Sequence, residues 1–260
     1  MNDRTRFAGF PPDPLDPSPV NAPTSESPND PVVLALQLEK SYETGAAKVK
    51  AIRGVDFALR QSSFAAFVGP SGSGKSTLLN MIGCLDHPTA GRLNVLGTDV
   101  GSLDRRAAAR FRGANIGFIF QDFNLVPVLS AWENVEYPLS MVLGWPKAKR
   151  DERVRTVLTA VGVLEHAARR PDQLSGGQKQ RVAVARALVV NPKLVLADEP
   201  TANLDHETAQ RILELMRKMR DDFGTTFIFS THDPKVMREA EMTLTLEDGV
   251  IVAEGSPDHG

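Results

Sequence analysis

The stretch FAAFVGPSGSGKSTLLNMI, residues 64–82, constrains this chain more than any other. Its opening run of apolar residues does not alternate, which predicts a strand buried on both faces, as in a parallel sheet. A glycine-rich turn follows, Gly69-Pro70-Ser71-Gly72-Ser73-Gly74-Lys75-Ser76-Thr77, and then a helix with Leu78, Leu79 and Ile82 on one face. The turn fits G-x-x-x-x-G-K-[ST] in full, in the strand-to-helix context that the pattern requires. Glycines let backbone N–H groups turn inward around phosphate oxygens, and a helix N-terminus adds positive potential. Lys75 is then placed to neutralise β- and γ-phosphates and the Ser76 hydroxyl to ligate Mg²⁺. A glycine-rich turn with no ligand is the bland alternative, and the complete pattern in its complete context speaks against it.

Other segments extend the same sheet. LVLAD (194–198) and TFIFST (226–231) are continuously apolar. Between them Ile212, Leu215, Met216 and Met219 recur at helical spacing until Gly224 ends the helix, which makes a βαβ unit. VVLALQLEK (32–40) and AIRGVDFALR (51–60) alternate like half-buried antiparallel strands. MTLTLEDGVIVAEG (242–255) reads as a hairpin turning at Asp248-Gly249. Between Gln121 and Leu174 strand signals fade, and KAKRDERVRTVLTAVGVL (147–164) predicts an amphipathic helix. The expected fold class is α/β, over residues 32–260, with an antiparallel β subdomain and a helical subdomain inserted at about 122–190.

Composition narrows the classes of function. The net charge of −2 gives no global argument for nucleic acid or an anionic surface. A single cysteine, Cys84, excludes an intrachain disulfide. No run of 18 apolar residues occurs, so no membrane span is expected. Eight of the 18 prolines fall within residues 1–31, among Asp, Ser and Asn, which predicts a tail without fixed structure.

Two further motifs carry chemistry. LVLADEP (194–200) carries two acids, Asp198 and Glu199, at the C-terminal edge of a buried strand. Paired carboxylates there are costly unless a cation or a reaction uses them. Behind a phosphate loop, Asp198 is placed to anchor the metal and Glu199 to polarise an attacking water. Ser175-Gly176-Gly177-Gln178 opens a helix with Arg181 and Arg186. Glycines at a helix start make a second anion site by the same physics. Either that loop completes a nucleotide site on another copy of the protein, or it merely turns the chain into a helix.

GPSGSGKS, Gln121, LSGGQ (174–178), LVLADE and His232, in that set and order, resemble the nucleotide-binding subunit of ABC transporters over residues 32–255. The resemblance implies a P-loop ATPase core, RecA-like, with ATP and Mg²⁺ as ligands. It implies a homodimer that sandwiches two ATPs, each between the P-loop of one subunit and the LSGGQ turn of the other. Ser175 and Gly177 would then serve the neighbour's γ-phosphate. It further implies that Tyr42 stacks on adenine, that Gln121 reaches the metal and senses a membrane partner, and that Asn203-Leu204-Asp205 lies at the dimer seam. Asp205 is also a candidate cap for the following helix. His232 would contact the γ-phosphate and orient water. Taken alone, Tyr42 would be a packing residue and His232 a structural one.

NMIGCLDHPTAG (80–91) and GFIFQDFNLVPVLSAWENVEYPL (117–139) look most like the LolD/MacB group, the ATPases of lipoprotein release and macrolide export. That implies a separate permease, moved mechanically, and a place on the cytoplasmic face of the inner membrane. The other kinds to weigh are an importer ATPase, a cell-division ABC ATPase regulating wall hydrolases, and a soluble ATPase of translation or repair. Ser62-Ser63 departs from the group's Gly-Glu, and a φ > 0 turn there costs more without glycine. Ala202 also departs from the glycine common in lipoprotein release.

Overall fold

The computed structural model describes residues 31–45, 47–202 and 204–255. The proline-rich segment, apart from Pro31, and Asn203 lie outside the described residues. Two sheets organise the chain. The first pairs β1 (Val33–Thr44) with β2 (Ala47–Leu59) on one side and β4 (Ala90–Val95) on the other, all antiparallel, with β5 (Thr98–Asp99) at the edge. The second has the order β10-β9-β3-β8-β7-β6, built from β3 (Phe64–Val68), β6 (Ile116–Ile119), β7 (Leu194–Asp198), β8 (Thr226–Thr231), β9 (Met242–Glu247) and β10 (Val250–Gly255). In it β6, β7, β8, β3 and β9 are mutually parallel, and β10 returns antiparallel through the Asp248-Gly249 turn.

The period-2 geometry of β3 divides the core. Phe64, Ala66 and Val68 join one apolar cluster, and Ala65 and Phe67 the other. α1 (Lys75–Ile82) packs between the sheets through Leu78, Leu79, Met81 and Ile82. On the opposite face lie α5 (Gly176–Leu188) and α6 (His206–Phe223), with α3 (Ala131–Tyr137) and α4 (Lys147–Ala160) further along the same cluster. α2 (Arg105–Asn115) precedes β6, and α7 (Pro234–Glu239) follows β8. The result is a three-layer arrangement around a largely parallel sheet.

α6 buries Ile212, Leu213, Met216 and Met219, and Leu215 packs half-buried against the same cluster. Gly224, left-handed at φ 67, ends it as its position predicts. α4 stops at Ala160, short of the 147–164 span, because Gly162 turns the chain at φ 69. The segment 122–190 is mainly helical, but its apolar side chains share one cluster with the sheet. Trp145, Val154 and Leu158 belong to the same cluster as Phe64 and Val195. α5 supports both parts: a Cβ on Gly117 of β6 would lie 2.5 Å from the Ala187 carbonyl oxygen. After α3 the chain continues as a π turn over Pro138–Val142, where Pro138 has no N–H to continue the α ladder.

Ser62 does adopt a left-handed conformation, φ 54, at the turn into β3. That costs an ordinary L-residue about 1–2 kcal/mol. Two hydrogen bonds offset it: Ser62 Oγ donates to the Gly224 carbonyl at 3.0 Å, and Ser62 N–H donates to Thr226 Oγ1 at 2.9 Å.

Candidate functional site

Parallel strands end together, and this sheet gathers its chemistry at that edge. β3 leads into the 69–77 loop, β8 into His232, β7 into Asp198 and Glu199, and β6 towards Gln121. These strands are adjacent in the order β3-β8-β7-β6. Residues from four separate stretches of sequence thus share one rim.

The loop before α1 is shaped to receive an anion. Gly69 has φ 142, and a Cβ there would lie 2.1 Å from the Leu246 carbonyl oxygen. Gly74 caps α1 in a left-handed conformation, φ 109, with no side chain bonding the helix start. The N–H groups of that first turn therefore have neither an intrahelical partner nor a side-chain cap. Ser73 Oγ is buried and lacks a hydrogen-bond partner. The loop rests on the β9–β10 turn, where Gly249 N–H donates to the Ser73 carbonyl at 3.0 Å. Lys75 Nζ donates to the carbonyls of Gly69 and Pro70, both at 2.8 Å, so the ammonium lies across the loop.

Beside it, Asp198 Oδ1 accepts from Ser76 Oγ at 3.2 Å and from Ser230 Oγ. A hydroxyl and a carboxylate so placed suit Mg²⁺, which takes few protein ligands and completes its shell with phosphate and water. Glu199 is a non-glycine residue at φ 46, held there as its N–H donates to the Ser230 carbonyl at 3.0 Å. Strain of this kind persists only where the surroundings impose it. Its carboxylate is 13% exposed and meets His232 Nδ1 at 2.7 Å, while Thr231 Oγ1 donates to it at 3.4 Å. A carboxylate only accepts, so the Nδ1 proton of His232 points at Glu199.

The second glycine turn is elsewhere. Ser175 is the N-cap of α5, its Oγ accepting from Gln178 N–H at 3.3 Å, and Gln178 Oε1 accepts from Ser175 N–H at 2.9 Å. The other end of the Gln178 amide lies 2.9 Å from His166 Nε2. A Cβ on Gly177 would lie 2.7 Å from Thr208 Cγ2, so this loop abuts the start of α6. There Asp205 is the N-cap, accepting from Thr208 N–H at 3.0 Å. The structure therefore brings Ser76, Asp198, Glu199 and His232 together, and groups Ser175–Gln178 with Asp205. Tyr42 lies on β1, 39% exposed, its hydroxyl 2.8 Å from Asp86 Oδ2.

Several residues support the site through contacts that the sequence did not show. Ser230 and Thr231 are polar ends of an otherwise apolar strand, which was a readable signal. Gln180 is buried within α5 and donates to the Pro200 carbonyl at 2.6 Å, joining that helix to the turn after Glu199. Arg186 donates to the carbonyls of Asn124 at 2.6 Å and Phe123 at 2.9 Å, fixing the segment after Gln121. Burial lowers the Arg186 guanidinium below its ordinary value. Asn134, also buried, accepts from Val126 N–H at 2.8 Å and donates to the Ser130 carbonyl at 3.0 Å. Nothing in the pattern of α3 marks it.

A phosphate loop at the rim of a parallel sheet, with a hydroxyl–carboxylate pair and a strained glutamate beside it, defines a nucleoside-triphosphatase of the P-loop class. The model of the ABC transporter family matches residues 52–202. The lipoprotein-releasing ATP-binding protein LolD of Anaeromyxobacter dehalogenans is 45% identical over 86% of this chain and 94% of its own length. The macrolide export ATP-binding/permease protein MacB of Syntrophobacter fumaroxidans is 46% identical over 84% of this chain, but the match spans only 30% of MacB. An ATP-binding cassette, MJ0796, solved as a dimer in a post-hydrolysis state with ADP and Pi, superposes with a TM-score of 0.81 at 39% identity, covering 88% of this chain and all of that one. The chain belongs to the ABC transporter family. It is an ATPase of that family, binds ATP, and has LolD and MacB among its close relatives.

Proposed function

We propose that this chain is the motor subunit of a LolD/MacB-type transporter, closing as a homodimer on two ATPs to drive a separate permease at the cytoplasmic face of the inner membrane. The observation that carries it is the presence of two glycine-bearing helix starts, one hydrogen-bonded to Asp198 through Ser76 and the other packed on Thr208 at the start of α6. A second anion site away from the first chain's own chemistry serves a second chain. Ser175 and Gly177 would present donors to the γ-phosphate held by the partner's Lys75 loop, with Asp205 at the seam. The MJ0796 cassette, dimeric with ADP and Pi, supports this reading.

In that assembly Gly69 to Thr77 wrap the phosphates, Tyr42 stacks on the base, and Ser76, Asp198 and Gln121 would hold Mg²⁺, which neutralises charge on the transferred phosphoryl group. A water attacks the γ-phosphorus in line with the departing ADP, and Glu199 takes its proton. His232, tied to Glu199, keeps that carboxylate aimed and orients the water. Size-exclusion chromatography with light scattering on Glu199→Gln tests closure. Mg-ATP should convert monomer to dimer, and a monomer at saturating ATP would refute it.

The partner reading rests on a second observation. Among the described residues no helix is long and apolar enough to cross a membrane. Around the segment after Gln121, large apolar side chains stand in the open, including Val128 at 71% and Met141 at 68% exposed, with Val126, Tyr137 and Val142 nearby in sequence. Apolar side chains gathered along one such segment mark an interaction surface. Co-purification of Glu199→Gln from native membranes with Mg-ATP tests this. A four-helix permease with a large periplasmic domain would support it, and a six-helix permease would overturn the LolD/MacB assignment.

A further inference from the structure

Tyr42 does not stand alone on β1. Its hydroxyl donates to Asp86 Oδ2 at 2.8 Å, and Lys40 Nζ lies 4.8 Å from the ring centroid. Lys40, only 8% exposed, donates to Asp86 Oδ1 and to the His87 carbonyl at 2.8 Å. Asp86 Oδ1 also accepts from His87 N–H at 2.7 Å. Asp86 belongs to the turn after α1, where its own N–H donates to the Asn80 carbonyl at 3.2 Å. One carboxylate therefore ties the ring on the antiparallel sheet to the helix that begins at the phosphate loop. The ammonium occupies one side of the ring while the ring remains partly open to solvent.

We infer that Asp86, together with Lys40, is a positioning residue for the base-binding ring of Tyr42, setting affinity for the nucleoside part of the ligand independently of the phosphates. The inference rests on the reading of Tyr42 as the stacking aromatic. A ring anchored at its hydroxyl has already lost the rotational freedom that a stacking base would otherwise remove. A buried ammonium also needs its carboxylate, so Lys40 in turn keeps Asp86 in place. Burial pushes the Asp86 carboxyl up, but hydrogen bonds from Lys40, Tyr42 and His87 outweigh this and hold it below the usual carboxylate range. Burial and the same carboxylate raise the Tyr42 hydroxyl, which stays a donor at neutral pH.

The test is calorimetric titration of the full chain with ADP and, separately, with inorganic pyrophosphate, which occupies the phosphate loop but carries no base. Tyr42→Phe keeps the ring and the Lys40–Asp86 pair and removes the hydroxyl's bonds to Asp86 and to Thr77 of the phosphate loop. Asp86→Asn keeps the shape but replaces Oδ2, the acceptor for Tyr42, with an amide N–H₂ and removes the charge that pairs with Lys40. Both should weaken ADP roughly five- to tenfold, the net weight of an ordinary hydrogen bond, and Asp86→Asn should leave pyrophosphate unchanged. Tyr42→Ala should weaken ADP further, by more than about tenfold, as loss of a stacking platform does. If Tyr42→Ala weakens ADP while Tyr42→Phe and Asp86→Asn bind it normally, the ring acts without the clamp and the inference falls alone. If Tyr42→Ala binds ADP normally, the stacking reading falls and the inference with it. Equal losses for ADP and pyrophosphate would show a merely structural effect and overturn the inference.

Discussion

The two glycine-bearing helix starts share their composition and differ in nearly everything else. At α1 the glycines are required by conformation, with Gly74 at φ 109 and no side chain bonded to the helix start. At α5 Gly177 lies inside an ordinary helix, and what requires glycine is space, since Thr208 Cγ2 would lie 2.7 Å from a Cβ. Donors differ as well. α1 leaves its first N–H groups uncapped, whereas the Ser175–Gln178 capping box already satisfies two donors at α5. The first loop can surround a phosphate by itself. The second has fewer donors to give and suits a phosphate that another loop already holds.

The largest effect should come from neither loop. Glu199→Gln should slow ATP hydrolysis by ~10²–10⁴-fold, the weight of a positioned base, with ADP affinity unchanged. Steady-state phosphate release checks it, and a normal rate would remove Glu199 from the chemistry. Next, Gly74→Ala would place a Cβ 2.7 Å from Ile52 Cδ1 and 2.8 Å from the Ala51 carbonyl oxygen, at a φ that alanine rarely adopts. Denaturant unfolding should show a loss of about 2–4 kcal/mol, and calorimetry a loss of ADP binding.

Gly177→Ala should contrast with that. It should leave ADP binding intact and slow hydrolysis about tenfold, equivalent to ~1.4 kcal/mol of transition-state stabilisation. Thr208→Ser removes the obstructing methyl yet keeps the hydroxyl, so the double variant should recover most of the rate. If Gly177→Ala impaired ADP binding as Gly74→Ala does, the division of labour between the loops would be wrong. The smallest effect is at Ser62. Ser62→Ala keeps the left-handed turn and loses the bond to Gly224, so the urea midpoint should fall by the equivalent of about 1 kcal/mol. Ser62→Gly should be close to neutral, because it relieves the strain as it removes the bond.

Much of this was legible in the chain, and the unread parts share a physical cause. β3, β7 and β8 announce themselves because strands covered on both faces must be apolar throughout. β4 and β6 do not: AGRLNV exposes its first three residues, and IGFI is too short to show a period. α2 is rich in arginine and buries only Ala108, so its apolar stripe is thin. At the site, the 69–77 loop, Asp198 and Glu199 are readable because phosphate and metal chemistry fix both residue types and local spacing. Tyr42 meets Asp86, Gln180 meets Pro200 and Arg186 meets Phe123 across long intervals of sequence. No local pattern encodes such pairs, since only the fold brings the partners together.

The central claim is that each ATP is held by the first loop of one copy and the second loop of another, and mixing two inactive variants tests it most directly. Lys75→Ala disables the first loop and Gly177→Asp the second, so each alone should be inactive. In a mixed dimer one site carries both lesions and the other carries neither. ATPase activity should therefore appear on mixing, vary with the ratio of the two proteins, and peak near equal amounts. Activity that stays at the sum of the two inactive preparations, with mixed dimers demonstrably formed, would contradict the account.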